Sequence, residues 1–226
     1  MIEIFETKDG SKTLLNTALN ETYHSRFGAI QESMHVFIEA GLNTYLNRFP
    51  ETGHIHILEV GFGTGLNAIL TLQAIQNTSC HVYYETLETY PLDLEQVEAL
   101  NYIEQIGDEH LHEYFRKIHT CNWDEPIQIN SKFTIHKRKQ HLENYQPDKD
   151  FHIVYFDAFA PNVQPELWTL EALENSTQKL VENGIFVTYC AKGQLKRDLK
   201  ALHFQVESLP GPPGKREMTR GIKIVG

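Results

Sequence analysis

The sequence predicts an α/β domain whose sheet is mostly parallel, with an antiparallel pair of strands at its C-terminal edge and an extension at its N-terminus. Short apolar runs alternate with helical patterns from about residue 56 onward, which is typical of a parallel sheet covered by helices on both faces. A glycine-rich segment follows the first strong apolar run, and the last two strand-like runs flank a loop rich in proline and glycine. Together these features indicate a Rossmann-like architecture.

The individual elements follow from apolar spacing and turn signals. Residues 1–24 are polar and turn-like, whereas residues 31–49 carry apolar side chains at helical spacing, with Gly41 as a weak point. Strands are predicted at residues 56–60, 82–87, 133–136, 151–156, 185–189, 204–208 and 222–225, and helices over 66–75, 91–118 and 169–182. We interpret residues 1–50 as an extension and a helix packed on the core, residues 51–226 as the main domain, and both as one structural unit.

Composition and charge exclude several classes of protein. The 226 residues carry a net charge of −10, which argues against a uniform basic surface that coats nucleic acid. The three cysteines form no CxxC pair, and neither a signal peptide nor an apolar stretch of the ~20 residues that span a bilayer is apparent. The histidines lack zinc-ligand spacing. We therefore predict a cytoplasmic chain with reduced thiols, no membrane association and no metal.

The glycine-rich segment, EVGFGTGLN at residues 59–67, joins the first strand to a helix. Glycines let the backbone turn sharply and approach a ligand, helix N–H groups then face that ligand, and Thr64 is the expected N-cap. A dinucleotide fingerprint would need its third glycine at position 66, which is Leu66. The E-x-G-x-G-x-G spacing instead resembles the first motif of class I methyltransferases. That resemblance implies S-adenosyl-L-methionine as cofactor, bound around a set of seven residues: Glu59, Gly61, Phe62, Gly63, Thr64, Gly65 and Asn67. The alternative is a tight turn that binds nothing.

A carboxylate that accepts hydrogen bonds from a ribose diol is expected at the end of the next strand, about 20 residues later. Glu85 and Glu88 lie 20 and 23 positions after Gly65. Strand alternation places them on opposite faces, so at most one is suitable. We choose Glu88, because it falls where the strand ends, shortly before Pro91. The alternative is that Glu88 is an exposed surface acid without a ligand.

A buried strand at residues 151–156 ends in Asp157, an aromatic residue and a proline, in the sequence DAFAP. Methyl transfer from a sulfonium is an in-line displacement, so alignment and desolvation are the main tasks of the protein. Asp157 is the predicted catalytic residue, because it can accept a hydrogen bond from an amine, orient it and take its proton. Phe159 can wall off a planar base beside Pro161. The alternative is that Asp157 caps the turn before Pro161.

Five ordered segments resemble the methyltransferase domain of bacterial tRNA 5-methylaminomethyl-2-thiouridine methyltransferases, the MnmC/MnmD type. They are SRFGAIQESMHVFI at 25–38, LEVGFGTGLN at 58–67, LETYPL at 87–92, FDAFAP at 156–161 with ELW at 166–168, and GKREM at 214–218. The resemblance covers residues 23–226. The helix in the first segment is either a lid whose Gln31, Glu32 or Ser33 lines the cofactor site, or a helix that only packs on the core.

The resemblance implies methylation of a 5-aminomethyl group on the wobble uridine of certain tRNAs, with tRNA as the partner. No second dinucleotide fingerprint is present, so we expect a stand-alone methyltransferase without a fused oxidase domain, whose amine substrate another enzyme supplies. One departure concerns the adenine contact. Many relatives carry a Gly-Asp pair after the third strand, where this chain has Lys137, Arg138 and Lys139.

An acidic chain needs a local basic cluster to hold tRNA. The loop PGPPGKR at residues 210–216 is the strongest candidate, because its prolines and glycines limit its freedom while Lys215 and Arg216 face phosphates. Lys137, Arg138, Lys139, Lys192, Lys196 and Arg197 are further candidates, and solvated surface charge is the alternative for all of them. Two other functions stay open: a methyl- or aminopropyl-transferase that acts on a small-molecule amine, and a non-enzymatic nucleotide-binding module.

Overall fold

The computed structural model describes residues 2–224 and contains a central sheet of eight strands within that range. Its strands are β4 His54–Val60, β5 His81–Leu87, β6 Pro126–Asn130, β7 Phe133–Arg138, β8 Phe151–Phe156, β9 Leu180–Thr188, β10 Phe204–Pro210 and β11 Glu217–Lys223. Their order across the sheet is β10-β11-β9-β8-β4-β5-β7-β6. The pairs from β9 to β7 are parallel, and β10, β11 and β6 run antiparallel to their neighbours. The predicted mostly parallel Rossmann-like sheet with an antiparallel C-terminal edge is confirmed.

The segment at residues 1–24, which was predicted to be turn-like, contains three strands within its described part. Strands β1 Ile2–Glu6, β2 Lys12–Asn16 and β3 Glu21–Thr22 form a separate antiparallel sheet. The buried positions of this sheet include polar residues, so the sequence does not show the apolar alternation that predicts strands. Thr13 is fully buried, and its hydroxyl accepts a hydrogen bond from the backbone N–H of His24, so its burial is compensated.

The helix predicted at residues 31–49 is present, as three consecutive segments of which the middle one is a π-helix. Helix α1 Ala29–Ser33 continues as a π-helix, Met34–Asn43, and then as α2 Thr44–Arg48. Gly41 has a packing role here: an added Cβ would lie 3.1 Å from both Tyr155 and Val187. The glycine therefore lets the helix approach the sheet closely. Residues on both sides of position 50 share one apolar core, while the predicted division at residue 50 stays a prediction.

The remaining helices cover the sheet and correct several predicted boundaries. They are α3 Leu66–Ile75, α4 Leu94–Glu98, α5 Tyr102–Ile106, α6 Leu111–Thr120, α7 Leu170–Thr177 and α8 Gly193–Ala201, with short 3-10 turns at Leu142–Asn144 and Pro165–Trp168. The continuous helix predicted over 91–118 is wrong, because Gly107 adopts a left-handed φ of 75° and ends α5. Helix α8 and strand β6 were not predicted.

At the C-terminal side, the predicted antiparallel pair is present with shifted bounds. Strand β11 starts at Glu217, well before the predicted residue 222, and position 225 of that prediction lies outside the described residues. Helix α7 ends at Thr177, earlier than predicted, because β9 already begins at Leu180 and continues through Asn183 at a left-handed φ of 61°. Between residues 2 and 224, no helix has both the length and the apolar character needed to cross a bilayer.

Candidate active site

A cavity of about 690 Å³ lies at the carboxyl ends of the central parallel strands, within the range of roughly 300–1,000 Å³ that is usual for small-molecule sites. The chain runs from β4 to β5 on one side and returns to β8 on the other, so the cavity lies at the switch point of the sheet. Segments that follow β4, β5, β8 and β9 form its floor, and residues 16–27 of the N-terminal sheet and its following loop form a wall.

The glycine loop after β4 exposes its backbone to this cavity. Gly61 has a φ of 94°, and a Cβ on it would come within 2.7 Å of the carbonyl oxygen of Asp157. The N–H groups of Gly61 and Phe62 both donate to the carbonyl of Leu87, at 3.0 and 3.3 Å, which ties the loop to the end of β5. Gly61, Phe62, Gly63 and Thr64 line the cavity.

Thr64 is not the N-cap of α3, in contrast to the prediction. Gly65 occupies that position with a left-handed φ of 71°, and no side chain caps the helix. The buried Thr64 hydroxyl is instead hydrogen-bonded to Nε2 of His24 at 2.8 Å and to the hydroxyl of Tyr102 at 3.2 Å. Gly65 lies behind the loop, where an added Cβ would collide with His119 at 2.6 Å. Thr64 therefore anchors the N-terminal segment rather than the helix.

The two acidic candidates after the second parallel strand have different surroundings. Glu88 lines the cavity, where its Oε2 accepts a hydrogen bond from the Gly63 N–H at 3.0 Å and its Oε1 accepts one from the Tyr90 N–H at 2.9 Å. Glu85 is fully buried on the other face and binds Arg138 at 2.5 Å and Tyr145 at 2.9 Å. The role of Glu88 as the ribose acceptor stays a prediction, and Glu85 belongs to a structural network.

Asp157 stands half-buried at the end of β8, with its N–H bonded to the carbonyl of Val60 at 2.9 Å. The side-chain amide of Asn67 donates to Oδ2 of Asp157 at 2.8 Å and to Oε1 of Glu59 at 3.0 Å. Burial, with a smaller contribution from Glu32, raises the pKa of Asp157 to about 7. Burial likewise raises the pKa of Glu59 to about 8. Glu59 and Asn67 do not line the cavity.

Aromatic side chains line the same cavity as Asp157. Tyr23 and Phe159 meet edge to face with ring centroids 5.0 Å apart. The Phe159 carbonyl accepts a hydrogen bond from Trp168 Nε1 at 2.8 Å, and the Tyr189 hydroxyl donates to the Ala158 carbonyl at 2.8 Å. Both bonds hold the DAFAP turn in place. The turn therefore presents one carboxylate among rings, a setting suited to a flat substrate.

Glu32 and Lys215 line the same cavity and are in direct contact, although 183 positions separate them in the chain. The Lys215 ammonium donates to Oε2 of Glu32 at 2.5 Å and lies 3.7 Å from the centroid of the Tyr189 ring. The other Glu32 oxygen accepts a hydrogen bond from the Ser25 N–H at 3.0 Å. The Lys215 ammonium thus points into the cavity. The sequence had instead suggested that it extends to a phosphate at the surface.

The cavity does not bring together every residue that the sequence predicted. Exposed Gln31 and buried Ser33 flank Glu32 on α1 but do not line the cavity, and neither do Pro161 and the exposed Arg216. The cavity residues that sequence reasoning missed include Tyr23, His24 and Tyr189. Their only signal was the position of the first two next to the SRFGAIQESMHVFI segment, because no local pattern shows that the N-terminal strands close over the sheet.

Two of the basic residues that were candidates for phosphate contacts are engaged inside the protein. Lys137 is 1% exposed and donates to the His119 carbonyl at 3.1 Å, 4.8 Å from the centroid of the Trp123 ring. Arg138 binds the buried Glu85. Lys137 is therefore not available to tRNA, whereas the Arg138 side chain is 23% exposed and its phosphate contact stays a prediction. Among residues 2–224, no group of three or more His, Cys, Asp or Glu residues is arranged to hold a metal ion.

The raised pKa of Glu59 makes a testable prediction about stability. A carboxyl whose pKa is higher in the folded than in the unfolded state binds extra protons when folded, so the free energy of unfolding falls as pH rises from about 4.5 to about 8. Glu59→Gln removes this contribution, because the amide does not titrate. Denaturant unfolding at pH 5 and pH 8.5 should show a smaller loss of stability for the variant than for the wild type. Glu171→Gln, at an exposed carboxyl, is the control; equal losses in all three proteins would contradict the prediction.

Comparisons with known proteins agree with this arrangement. The sequence profile of a family described as S-adenosyl-L-methionine-dependent methyltransferase matches residues 88–224, more than half of the chain. The tRNA 5-methylaminomethyl-2-thiouridine biosynthesis bifunctional protein MnmC of Pseudomonas savastanoi is 28% identical over 219 residues, which cover 91% of this chain and 32% of that protein. The protein of the same name from Chromobacterium violaceum is 25% identical, over 92% of this chain and 33% of its own length.

The chain thus spans about a third of the length of these curated relatives. The crystal structure of MnmC2 from Aquifex aeolicus superposes with a TM-score of 0.81 at 27% identity, over 98% of this chain and 69% of that one. Streptomyces venezuelae DesVI, at 12% identity and a TM-score of 0.50, shares the fold over 85% of this chain and 92% of its own. These similarities confirm the resemblance that the five segments indicated. The chain belongs to the family of S-adenosyl-L-methionine-dependent methyltransferases.

Proposed function

We propose that the protein transfers a methyl group from S-adenosyl-L-methionine to the 5-aminomethyl group of the wobble uridine, or 2-thiouridine, in tRNA, which gives 5-methylaminomethyl uridine. The observation that carries the proposal is the position of Asp157, a carboxylate that lines a cavity together with aromatic rings and the glycine loop. The names of the MnmC relatives support the choice of substrate. The reaction is assigned to the cytoplasm, where tRNA is found.

The residues around the glycine loop fit the cofactor. The loop backbone borders the cavity at Gly61 and Gly63, both with positive φ, so it offers a surface without Cβ atoms to an elongated ligand. The Glu88 carboxylate lines the cavity and already holds the loop through the Gly63 N–H, and a carboxylate has further lone pairs that can accept ribose hydroxyls. When bound, S-adenosyl-L-methionine supplies an electrophilic methyl group on sulfur.

Asp157 has the chemistry that the acceptor amine requires. The amine attacks with its nitrogen lone pair, the new N–C bond forms as the carbon–sulfur bond breaks, and the electron pair of that bond leaves with sulfur. The resulting secondary ammonium carries one proton more than the neutral product. With its pKa raised to about 7, Asp157 is close to the optimum for a base at neutral pH.

The aromatic walls suit a planar base that carries a short amine arm. Tyr23 and Phe159 flank the site of Asp157, and burial, with a smaller contribution from Glu88, raises the pKa of Tyr23 to about 12, so its hydroxyl stays neutral. Stacking of a base on an aromatic ring contributes roughly 1–3 kcal/mol. Exposed Arg26 lines the mouth of the cavity, and exposed Arg216 lies beside it. We assign phosphate contacts to these two side chains.

The proposal is tested by incubating the purified protein with labelled S-adenosyl-L-methionine and tRNA that carries 5-aminomethyl-2-thiouridine. Nucleoside mass analysis should detect 5-methylaminomethyl-2-thiouridine. Matched tRNA with unmodified uridine at the wobble position should gain no label. Putrescine and spermidine are assayed in parallel: labelling of polyamines but not of tRNA would favour the small-amine alternative. Cofactor binding without turnover on any of these substrates would favour a nucleotide-binding module.

A further inference from the structure

Lys215 is a cation that the fold directs into the reacting end of the cavity. Its ammonium is shared between the Glu32 carboxylate, at 2.5 Å, and the face of the Tyr189 ring, at 3.7 Å from the centroid. A carboxylate and an aromatic face together form a strong site for an alkylammonium. The protein occupies this site with its own side chain, next to the position proposed for the substrate amine.

Both sides of this contact are held by the backbone. On the lysine side, Gly214 has a φ of 86°, and the ring of Phe27 lies so close that an added Cβ would come within 2.2 Å of it. The carbonyl of Pro210, at the start of the same turn, accepts a hydrogen bond from His35 Nε2 at 2.8 Å. On the other side, the Ser25 N–H holds Glu32. The contacts of the turn at residues 210–216 and of α1 therefore fix the position of the Lys215 ammonium.

The charges at this point decide the protonation state of any amine that enters. Burial lowers the pKa of His24 to about 4 and raises the pKa values of Tyr189 and Cys190, so these three groups are neutral near pH 7. The charged or titratable groups that interact with Lys215 lie on α1 and on the segments after β3, β8 and β9; they are Glu32, His24, Asp157, Tyr189 and Cys190. Arg216 and Glu217 adjoin it in its own turn. Without the lysine, two carboxylates would face the amine.

Two unpaired carboxylates would bind the substrate as an ammonium ion, which has no lone pair and cannot attack a methyl group. We propose that Lys215 neutralises Glu32 and repels a second cation, so that the substrate amine binds and reacts as the neutral base. The inference rests on the proposed amine methylation. Asp157 is then left as acceptor for the one proton that the methylated ammonium releases. Lys215 acts in this scheme as a positioning and specificity residue, because it touches neither reacting atom.

The test compares Lys215→Met with Lys215→Arg, which keeps the charge and can stack on Tyr189. Lys179→Met is the matched control, because Lys179 lies before the amino end of β9, at the opposite edge of the sheet from the cavity. Single-turnover rates on tRNA that carries 5-aminomethyl-2-thiouridine are measured from pH 6 to pH 10. A nearby charge shifts a pKa by about 1–3 units, so the rising limb of Lys215→Met should move up by about one pH unit or more. The other two variants should follow the wild type.

Because Lys215 also lowers the pKa of Asp157, a second measurement isolates the charge of the bound amine. Without methyl donor, the affinity for the 5-aminomethyl tRNA is compared with that for the same tRNA bearing a 5-hydroxymethyl group, at a pH of about 8, where an alkylamine in water is still mostly protonated. Lys215→Met should gain about tenfold or more in preference for the ammonium form, whereas wild type and Lys215→Arg should not. A uniform loss of rate at all pH values with unchanged preference would overturn the inference and leave Lys215 a structural role. Failure of the wild type to methylate this tRNA at any pH would instead contradict the proposed function.

Discussion

Asp157→Ala is expected to lower the rate of methyl transfer by ~10²–10⁴-fold, the usual contribution of a positioned general acid or base. The carboxylate stands at the end of β8 on a hydrogen bond from Asn67, so its loss removes the proton acceptor with little change to the turn. Single-turnover assays with saturating cofactor and amine-bearing tRNA measure the effect. Because its pKa is raised to about 7, the carboxylate form is depleted at lower pH, and the wild-type rate should fall as pH drops below about 7.

Two further variants separate chemistry from structure. Asp157→Asn keeps an oxygen that can accept from Asn67 but cannot take a proton, so it should be nearly as slow as Asp157→Ala. Asp150→Ala changes the exposed carboxylate just before the amino end of the same strand and should retain the wild-type rate. Cofactor affinity, measured by calorimetry, should stay within a few-fold of wild type in all three. A rate for Asp157→Ala within a few-fold of wild type would return this residue to a structural role.

Gly63→Val is expected to abolish detectable binding of S-adenosyl-L-methionine while the protein stays folded. Gly63 has a φ of 50°, a conformation that costs a residue with a side chain roughly 1–2 kcal/mol and disfavours β-branched residues most. Its N–H also holds the Glu88 carboxylate at 3.0 Å, and a new side chain would occupy the wall of the cavity next to Tyr23, 3.1 Å away. Loop geometry, acceptor position and free space would therefore change together.

The matched control is Gly53→Val, at a glycine with no heavy atom within 4 Å of an added Cβ and no positive φ. Gly53 precedes the amino end of β4, so the control introduces the same side chain at the opposite end of the strand that leads into the glycine loop. Calorimetric titration with cofactor and far-UV circular dichroism are run on both variants. Wild-type cofactor affinity in a folded Gly63→Val protein would refute the assignment of this loop to the cofactor.

The sequence by itself determined the features that depend on neighbouring residues. Apolar runs of strand length followed by glycines or an acid predicted β4, β5 and β8, and with them the positions of the glycine loop, Glu88 and Asp157 at one edge of the sheet. Strand alternation showed that at most one of Glu85 and Glu88 is suitable, because residues three apart face opposite sides, and the end of the strand before Pro91 favoured Glu88. These inferences use periodicity over a few residues, which the chain carries in any context.

The tertiary structure alone decided which distant side chains meet. Glu32 and Lys215 are 183 positions apart in the chain, and Asn67, which donates a hydrogen bond to Asp157, is 90 positions from it. The wall formed by Tyr23 depends on the strands of the N-terminal sheet. Thr13 in β2 reads as a turn residue in the sequence, and only the structure shows that it is buried and accepts a hydrogen bond from the His24 N–H. The interior position of Lys137 likewise follows from the packing of α6 and the segment after it on the sheet edge. Pairing, burial and the pKa shifts that they cause depend on distances in space, and local sequence patterns do not contain those distances.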